Sequence, residues 1–431
     1  MKKEDSFLIQ GIDPHDLCSR YGTPLYVYDA DIIKQQVEKF KTAFDAINYK
    51  VMYAVKSCTN ISIIKYMKLL GTGLDTVSIP EMHMGLSLGF DPEDIVFTPN
   101  VVDFKEIEEA VDSGVSIHIE NLQNLESFGK KYGSSYPVCV RLNPNMISEI
   151  ESGKVTGPGF MSANKEHYDK VSDAQVSTWH NQSKFGISLT QFNDIMRLVE
   201  QYDLHINGLH LHSSHVILNK AVFEKGVKTL FKIAKRLEHL EYIDLGGGIM
   251  VRHKPDDVVI ELSDVGPVLK REYDTFCRET GKTITVWFEP GRFLMSEAGF
   301  LLTEATVLKT NGWIHFVGTN TGFHHLLRPM MYNAYHSIEN ISNAKGPVKK
   351  YNVVGNLCEI DNLACDRELN EVRVGDLLMI KNAGAYGFAM SSNYNSRPKP
   401  AEVLIINGQD KLIRKRETYA DLVRNQLEIT F

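Results

Sequence analysis

Lys56 follows the mostly apolar run VMYAV. A lysine at a largely dry strand end has its ammonium form penalised by desolvation, which favours the neutral amine needed for Schiff-base chemistry. The competing reading is a lysine whose stem packs while its head reaches solvent. The triplet Gly246-Gly247-Gly248 after YIDL allows the close backbone approach that a phosphate requires, although a tight turn accounts for three glycines equally well. Glu289-Pro290-Gly291-Arg292 sets a carboxylate and a guanidinium in one short turn, which suits a ligand with both a ring nitrogen and an anionic group. A structural ion pair is the alternative there. In HLHSSH, His210 and His212 share a strand face and His215 lies just beyond, a pattern that could hold a metal. Carboxylates at matching strand ends are not evident from the sequence, and an imidazole stacked on a flat cofactor competes better. His324-His325 reads as a loop feature.

These residues must be positioned by elements whose number is informative. From Tyr49 the chain alternates short β-branched runs with amphipathic stretches, and eight runs can be counted: VMYAV, GLDTV, DIVFTP, VSIHIE, VCVRLNP, INGLHLH, YIDLGGG and TVWFEPGR. Eight is the number of a TIM-type (β/α)8 barrel, whose active site lies at the C-terminal ends of its strands. Lys56 closes the first run, Asp75 and Ser78 the second, Arg141 and Asn143 the fifth, His212 the sixth, the glycines the seventh, and Glu289 with Arg292 the eighth. The stretches SIIKYMKLL, NLQNLESFGKKY, FNDIMRLVEQY and VFEKGVKTLFKIAKRL carry apolar residues at helical spacing. In DIIKQQVEKFKTAFDAI, Ile33, Val37, Phe40, Phe44 and Ile47 form one stripe, predicting a helix that covers the barrel.

After Ala298 the pattern changes to LLTEATVLKT, IHFVGT, YNVVGN, DLLMIKN and AEVLIING with turn-like links, predicting a mostly antiparallel β domain. The expected organisation is an α/β chain with the barrel over 30–298, and 1–29 with 299–431 forming the β-rich domain that completes the active site and a dimer interface. The polar stretch 145–182 lacks periodicity and reads as a loop placed where an active-site flap would sit.

With 431 residues and a net charge of −7, the chain can bury a large core but presents no basic field for nucleic acid. No apolar run is long enough for a secretory signal or a membrane span. Six scattered cysteines form neither CxxC pairs nor a dense disulfide framework, so a reducing cytoplasm is expected.

In order and spacing, YGTPLYVYD, YAVKSCTN, DTVSIPE, RLNP, SKFGI, LGGG, EPGR, RPMMYNAYH, Cys358-Glu359, GAYG and SSNYNSRP resemble the diaminopimelate decarboxylases, within the alanine-racemase-like group that includes ornithine decarboxylases. The resemblance runs nearly end to end. It implies pyridoxal 5′-phosphate as cofactor, Lys56 as its Schiff-base lysine, His212 stacked on the pyridine ring and Glu289 paired with the ring nitrogen. It assigns phosphate binding to Gly246, Gly247, Gly248, to Gly291 and Arg292 of the EPGR turn, and to Tyr386, and it carries Arg292, Arg328, Tyr332, Glu359 and Tyr386 over as substrate contacts. Cys358 matches the proton donor that the family supplies across a dimer interface, so a homodimer with shared sites is implied.

The chain departs from the family pattern in places. His215 stands where a phosphate-contacting serine is customary, Cys-Glu-Ser-x-Asp becomes Cys358-Glu359-Ile360-Asp361-Asn362, Asn320 replaces an aspartate, and the 145–182 insert is extra. The leading expectation is decarboxylation of meso-2,6-diaminopimelate to L-lysine, as in lysine biosynthesis. The runner-up is decarboxylation of another amino acid or conjugate, such as a D-amino acid or a polyamine or siderophore precursor. An amino-acid racemase and a non-catalytic homologue rank lower.

Overall fold

The eight runs form eight parallel strands that close on themselves: Tyr49–Ala54, Gly73–Thr76, Ile95–Phe97, Ser116–Ile119, Val138–Asn143, Ile206–His210, Tyr242–Asp244 and Thr285–Phe288. The computed structural model that shows this describes residues 7–143, 184–212, 220–254, 257 and 259–431. Closure is set by two registers, Val286 opposite Tyr49 where the last strand meets the first, and His118 opposite Cys139 where the fourth meets the fifth. A two-residue strand, Ile187–Ser188, pairs with the outer part of the fifth strand.

Helices lie between the strands because the intervening segments carry apolar stripes and start signals. Asn60, Asp103 and Asn121 each accept a backbone N–H at a helix start, satisfying donors that the first turn leaves orphaned. In Phe104–Asp112 the buried face is Ile107, Ala110 and Val111, and in Leu122–Tyr132 it is Leu125 and Phe128 with Asn124 and Gly129. Each fully buried side chain of this size contributes about 1.5–3 kcal/mol. The helix Ala30–Phe44 buries the expected stripe, and Phe40 and Phe44 pack on Phe288 of the eighth strand with ring centroids 5.1 and 4.3 Å apart.

The chain divides into two compact units, Met1–Gln35 with Val251–Asp257 and Leu294–Phe431, and Gln36–Met250 with Val258–Phe293. The first contains a mostly antiparallel sheet in the order Asn362–Asn370, Val348–Val354, Ile314–Thr319, Gly299–Asn311, Leu25–Asp29, Ala401–Ile406, Gln409–Arg414, with Leu377–Ile380 also on Gly299–Asn311. Its core joins Leu25, Val27, Phe300, Leu302, Met379, Val403 and Ile405. Leu25–Asp29 was not legible as a strand from alternation, because all five residues are buried. Among the described residues no helix is long and apolar enough to cross a membrane.

Candidate functional site

Lys56 sits in a single helical turn, Val55–Ser57, directly after the first barrel strand. Its Nζ lies 2.6 Å from Asp75 Oδ2, on a carboxylate with no solvent exposure. Burial first, and then Glu289, push the Asp75 carboxyl up to about 7 against the opposing pull of Lys56. Ser78, grouped with Asp75 by sequence, instead caps the helix Ile79–Ser87 by accepting the Glu81 N–H. Its chemistry is structural.

Glu289 is also buried, and its contacts identify what surrounds it. Thr98 Oγ1 donates to Glu289 Oε1 at 3.3 Å, and His210 Nε2 lies 3.4 Å from Oε2. Burial alone would raise this carboxyl, but the adjoining His210 and the Lys56 cation outweigh it and hold the group well below the usual range. Asp244, on the neighbouring strand, is pushed the other way by burial and by Glu289. Two facing carboxyls in a dry site share one negative charge, and the geometry gives it to Glu289.

The glycine triplet has a local cause. Gly246 has φ +66°, and a Cβ there would collide with the His212 ring, while one on Gly247 would collide with the Glu289 carbonyl. Only glycine lets the chain pass this close while adopting that φ. The Gly247 N–H donates to His212 Nδ1 at 3.0 Å, which fixes the hydrogen of this buried, neutral imidazole on Nε2. Arg292 opens the next helical turn and its Nη1 lies 3.0 Å from Met250 Sδ, and Gly291 packs against Ala54 and Ser57 at the Lys56 turn. Arg141 is buried beside Glu120 at 3.8 Å, with Phe185 of SKFGI 4.9 Å under its guanidinium. His215 and the 145–182 stretch lie outside the described residues.

The remaining expected residues fall in the other unit. Arg328 starts the short helix Arg328–Tyr332, and its guanidinium is 5.9 Å from the Tyr332 ring and 5.8 Å from that of Tyr386, a residue at φ +56°. Cys358 and Glu359 are exposed and are held by the SSNYNSRP segment. Tyr394 O–H donates to Glu359 Oε1 at 2.7 Å, and the Asn395 amide lies 3.1 Å from Cys358 Sγ. Asp361 turns inward instead, accepting the backbone N–H groups of Phe323 and Leu357, and leaves Ile360 exposed.

Sequence reasoning missed His118, Thr98 and Asp244. With His210 and Glu289, His118 and Asp244 offer ligand-type atoms that all lie within 4.8 Å of one another, so the carboxylates that HLHSSH lacked in sequence are present in space. Alternation was the available signal. Thr98, His118, His210, Asp244 and Glu289 stand at even spacing from barrel-facing Val96, Tyr242 and Trp287 on their own or neighbouring strands.

Residues 30–159 and 163–296 match the family described as the pyridoxal-dependent decarboxylases, pyridoxal binding domain. The chain is similar to a diaminopimelate decarboxylase of Aquifex aeolicus, 34% identical over 99% of this chain and 97% of the relative. It is likewise 34% identical to one of Methanothermobacter thermautotrophicus, over 97% and 95%. A solved structure of the M. jannaschii diaminopimelate decarboxylase with L-lysine superposes with a TM-score of 0.85 at 26% identity, covering 99% of this chain and 97% of that one.

Proposed function

This chain belongs to the diaminopimelate decarboxylase family of pyridoxal-dependent decarboxylases, and from that membership we propose that it converts meso-2,6-diaminopimelate to L-lysine and carbon dioxide. The observation that carries this reading is the pairing, at one barrel rim, of Lys56 on buried Asp75 with a second buried carboxylate, Glu289, held ionised. An amine and an anion are the two groups that a pyridoxal ring calls for, at its aldehyde and at its nitrogen. The fit is supported by a buried polar atom without a hydrogen-bond partner among the described residues at this rim, Asp75 Oδ1.

When bound, pyridoxal 5′-phosphate supplies an electron sink for the pair released as the Cα–carboxylate bond breaks. Lys56 would supply the amine that takes up its aldehyde carbon, Asp75 would take and return protons at Nζ, His212 would support the ring face, and Glu289 would pair with the ring nitrogen. By the family pattern, Gly246, Gly247, Gly248, Gly291, Arg292 and Tyr386 would hold its phosphate. Arg292, Arg328, Tyr332, Glu359 and Tyr386 bind the amino acid, whose distal ammonium and carboxylate call for charge-assisted partners of both signs. Cys358 delivers a proton to Cα, supplied by a second copy of the chain in a homodimer. The enzyme acts in the cytoplasm, where the exposed Cys358 thiol stays reduced.

Incubating the protein and cofactor with a panel of amino acids, and identifying products by mass, tests the reading. Lysine from meso-diaminopimelate is expected, and an untouched diaminopimelate beside another turned-over substrate overturns the specific assignment. That second reading, a different amino acid or conjugate, draws on Asp361, which is committed to backbone N–H groups, and on apolar Ile360 beside Glu359.

A further inference from the structure

Behind Glu289 lies a row of buried polar side chains that the proposed reaction does not use. Tyr242 Oη is 3.1 Å from His118 Nε2, His118 Nδ1 is 3.1 Å from His210 Nδ1, and His210 Nε2 faces Glu289 Oε2 at 3.4 Å. The last contact is a close approach that does not meet hydrogen-bond geometry as it stands, and Nε2 has no hydrogen-bond partner among the described residues, so the Glu289 carboxylate 3.4 Å away is the acceptor within its reach. Each imidazole is thus entered at one nitrogen and left at the other.

We propose that Tyr242, His118 and His210 form a one-way hydrogen-bond chain that points its donors at Glu289, positioning residues that keep the ring-nitrogen carboxylate anionic and its cofactor partner protonated. This rests on the pyridoxal reading above. The hydrogen bookkeeping allows one arrangement. An ionised Glu289 cannot donate, so His210 carries its hydrogen on Nε2 and accepts at Nδ1. His118 must then donate from Nδ1 and accept at Nε2, where the Tyr242 hydroxyl donates. Thr98 agrees with this polarity, since its hydroxyl donates to Glu289 Oε1 while its oxygen lies 3.2 Å from His118 Nδ1.

Burial supports each member in the required form. It holds both imidazoles neutral and keeps the Tyr242 phenol protonated. Tyr242 is fixed by a parallel stack on Trp287, ring centroids 3.9 Å apart. Donors aligned head to tail in a dry interior polarise one another, so the terminal acceptor experiences more than its nearest neighbour. A metal reading of the same cluster needs both rings to spend a nitrogen on the ion, and a ring nitrogen already engaged in the chain is not available to it.

The test uses the cofactor-loaded protein with 15N-labelled pyridoxal phosphate, and 15N-labelled histidine in the unmodified chain. Expected are the Nδ1–H form of His118, the Nε2–H form of His210 and a protonated ring nitrogen. In Tyr242→Phe and His118→Gln proteins the ring-nitrogen protonation equilibrium should shift by roughly two- to tenfold, the size of one hydrogen bond's net contribution. The opposite tautomers, stoichiometric metal in the purified protein, or a ring-nitrogen signal unmoved in both variants would overturn the proposal while leaving the enzyme's identity intact. Tyr242→Phe removes one oxygen, so it remains informative if His118→Gln fails to fold. An unmodified chain that takes up no cofactor, judged by visible absorbance, overturns the pyridoxal reading itself and this inference with it.

Discussion

Replacing Asp75 by asparagine should make the cofactor-free protein more stable at alkaline pH, even though it removes the partner of Lys56. The carboxyl is fully buried and is pushed from 3.8 up to about 7. That rise of about 3 units corresponds to about 4 kcal/mol of differential interaction between its two forms. Because the folded protein holds this proton more tightly than the unfolded chain, the favourable contribution is complete below about pH 3.8 and is lost as pH climbs through about 7. Asparagine has nearly the same shape and never ionises. The pull of Lys56 on the carboxylate is already contained in that rise, since it opposes burial and Glu289. Asp75→Asn protein should therefore gain about 4 kcal/mol over the parent at pH 8 and little at pH 4. Urea denaturation of both cofactor-free proteins across this range measures the difference. Parallel stability curves, or a variant less stable at pH 8, would refute the reasoning.

Lys56→Ala protein should bind pyridoxal phosphate without the visible absorbance of a lysine Schiff base, which a spectrum records directly. Glu289→Gln should lower kcat by about 10²- to 10³-fold, comparable to removing one preorganised charge contact from a closed site, as single-turnover kinetics will report. Gly246→Ala forces a side chain into φ +66° against His212; the backbone strain alone costs about 1–3 kcal/mol, and cofactor affinity should fall with it in a fluorescence titration. Mixing inactive Lys56→Ala and Cys358→Ala proteins should restore part of the activity if Cys358 serves a partner's site, and no recovery would contradict the shared arrangement.

The barrel was legible because its strands are buried on both faces and read as short β-branched runs, and because Lys56, Glu289 and Arg292 end two of those runs. Less legible were strands whose residues mix both habits. Asn362–Asn370 and Gln409–Arg414 are rich in charge and lie at the ends of their sheet, where polar residues protect an edge. Leu25–Asp29 was hidden for the opposite reason, since total burial erases alternation. In the site, the end-of-strand rule found the residues at the rim but not His118, Thr98 and Asp244, whose importance lies in contacts across strands far apart in sequence. Arg328, Cys358 and Glu359 became legible through family motifs, not through periodicity.

The register of Leu25–Asp29 has a consequence for biosynthesis. One neighbour, Gly299–Asn311, and the other, Ala401–Ile406, are both encoded after the whole barrel. At ordinary elongation speeds the first arrives about 15–55 seconds after Leu25 leaves the ribosome. Throughout that interval Leu25, Tyr26, Val27 and Tyr28 lack the neighbouring strands that later enclose them. Quality control during translation, rather than the finished molecule, therefore bears the burden of shielding this segment.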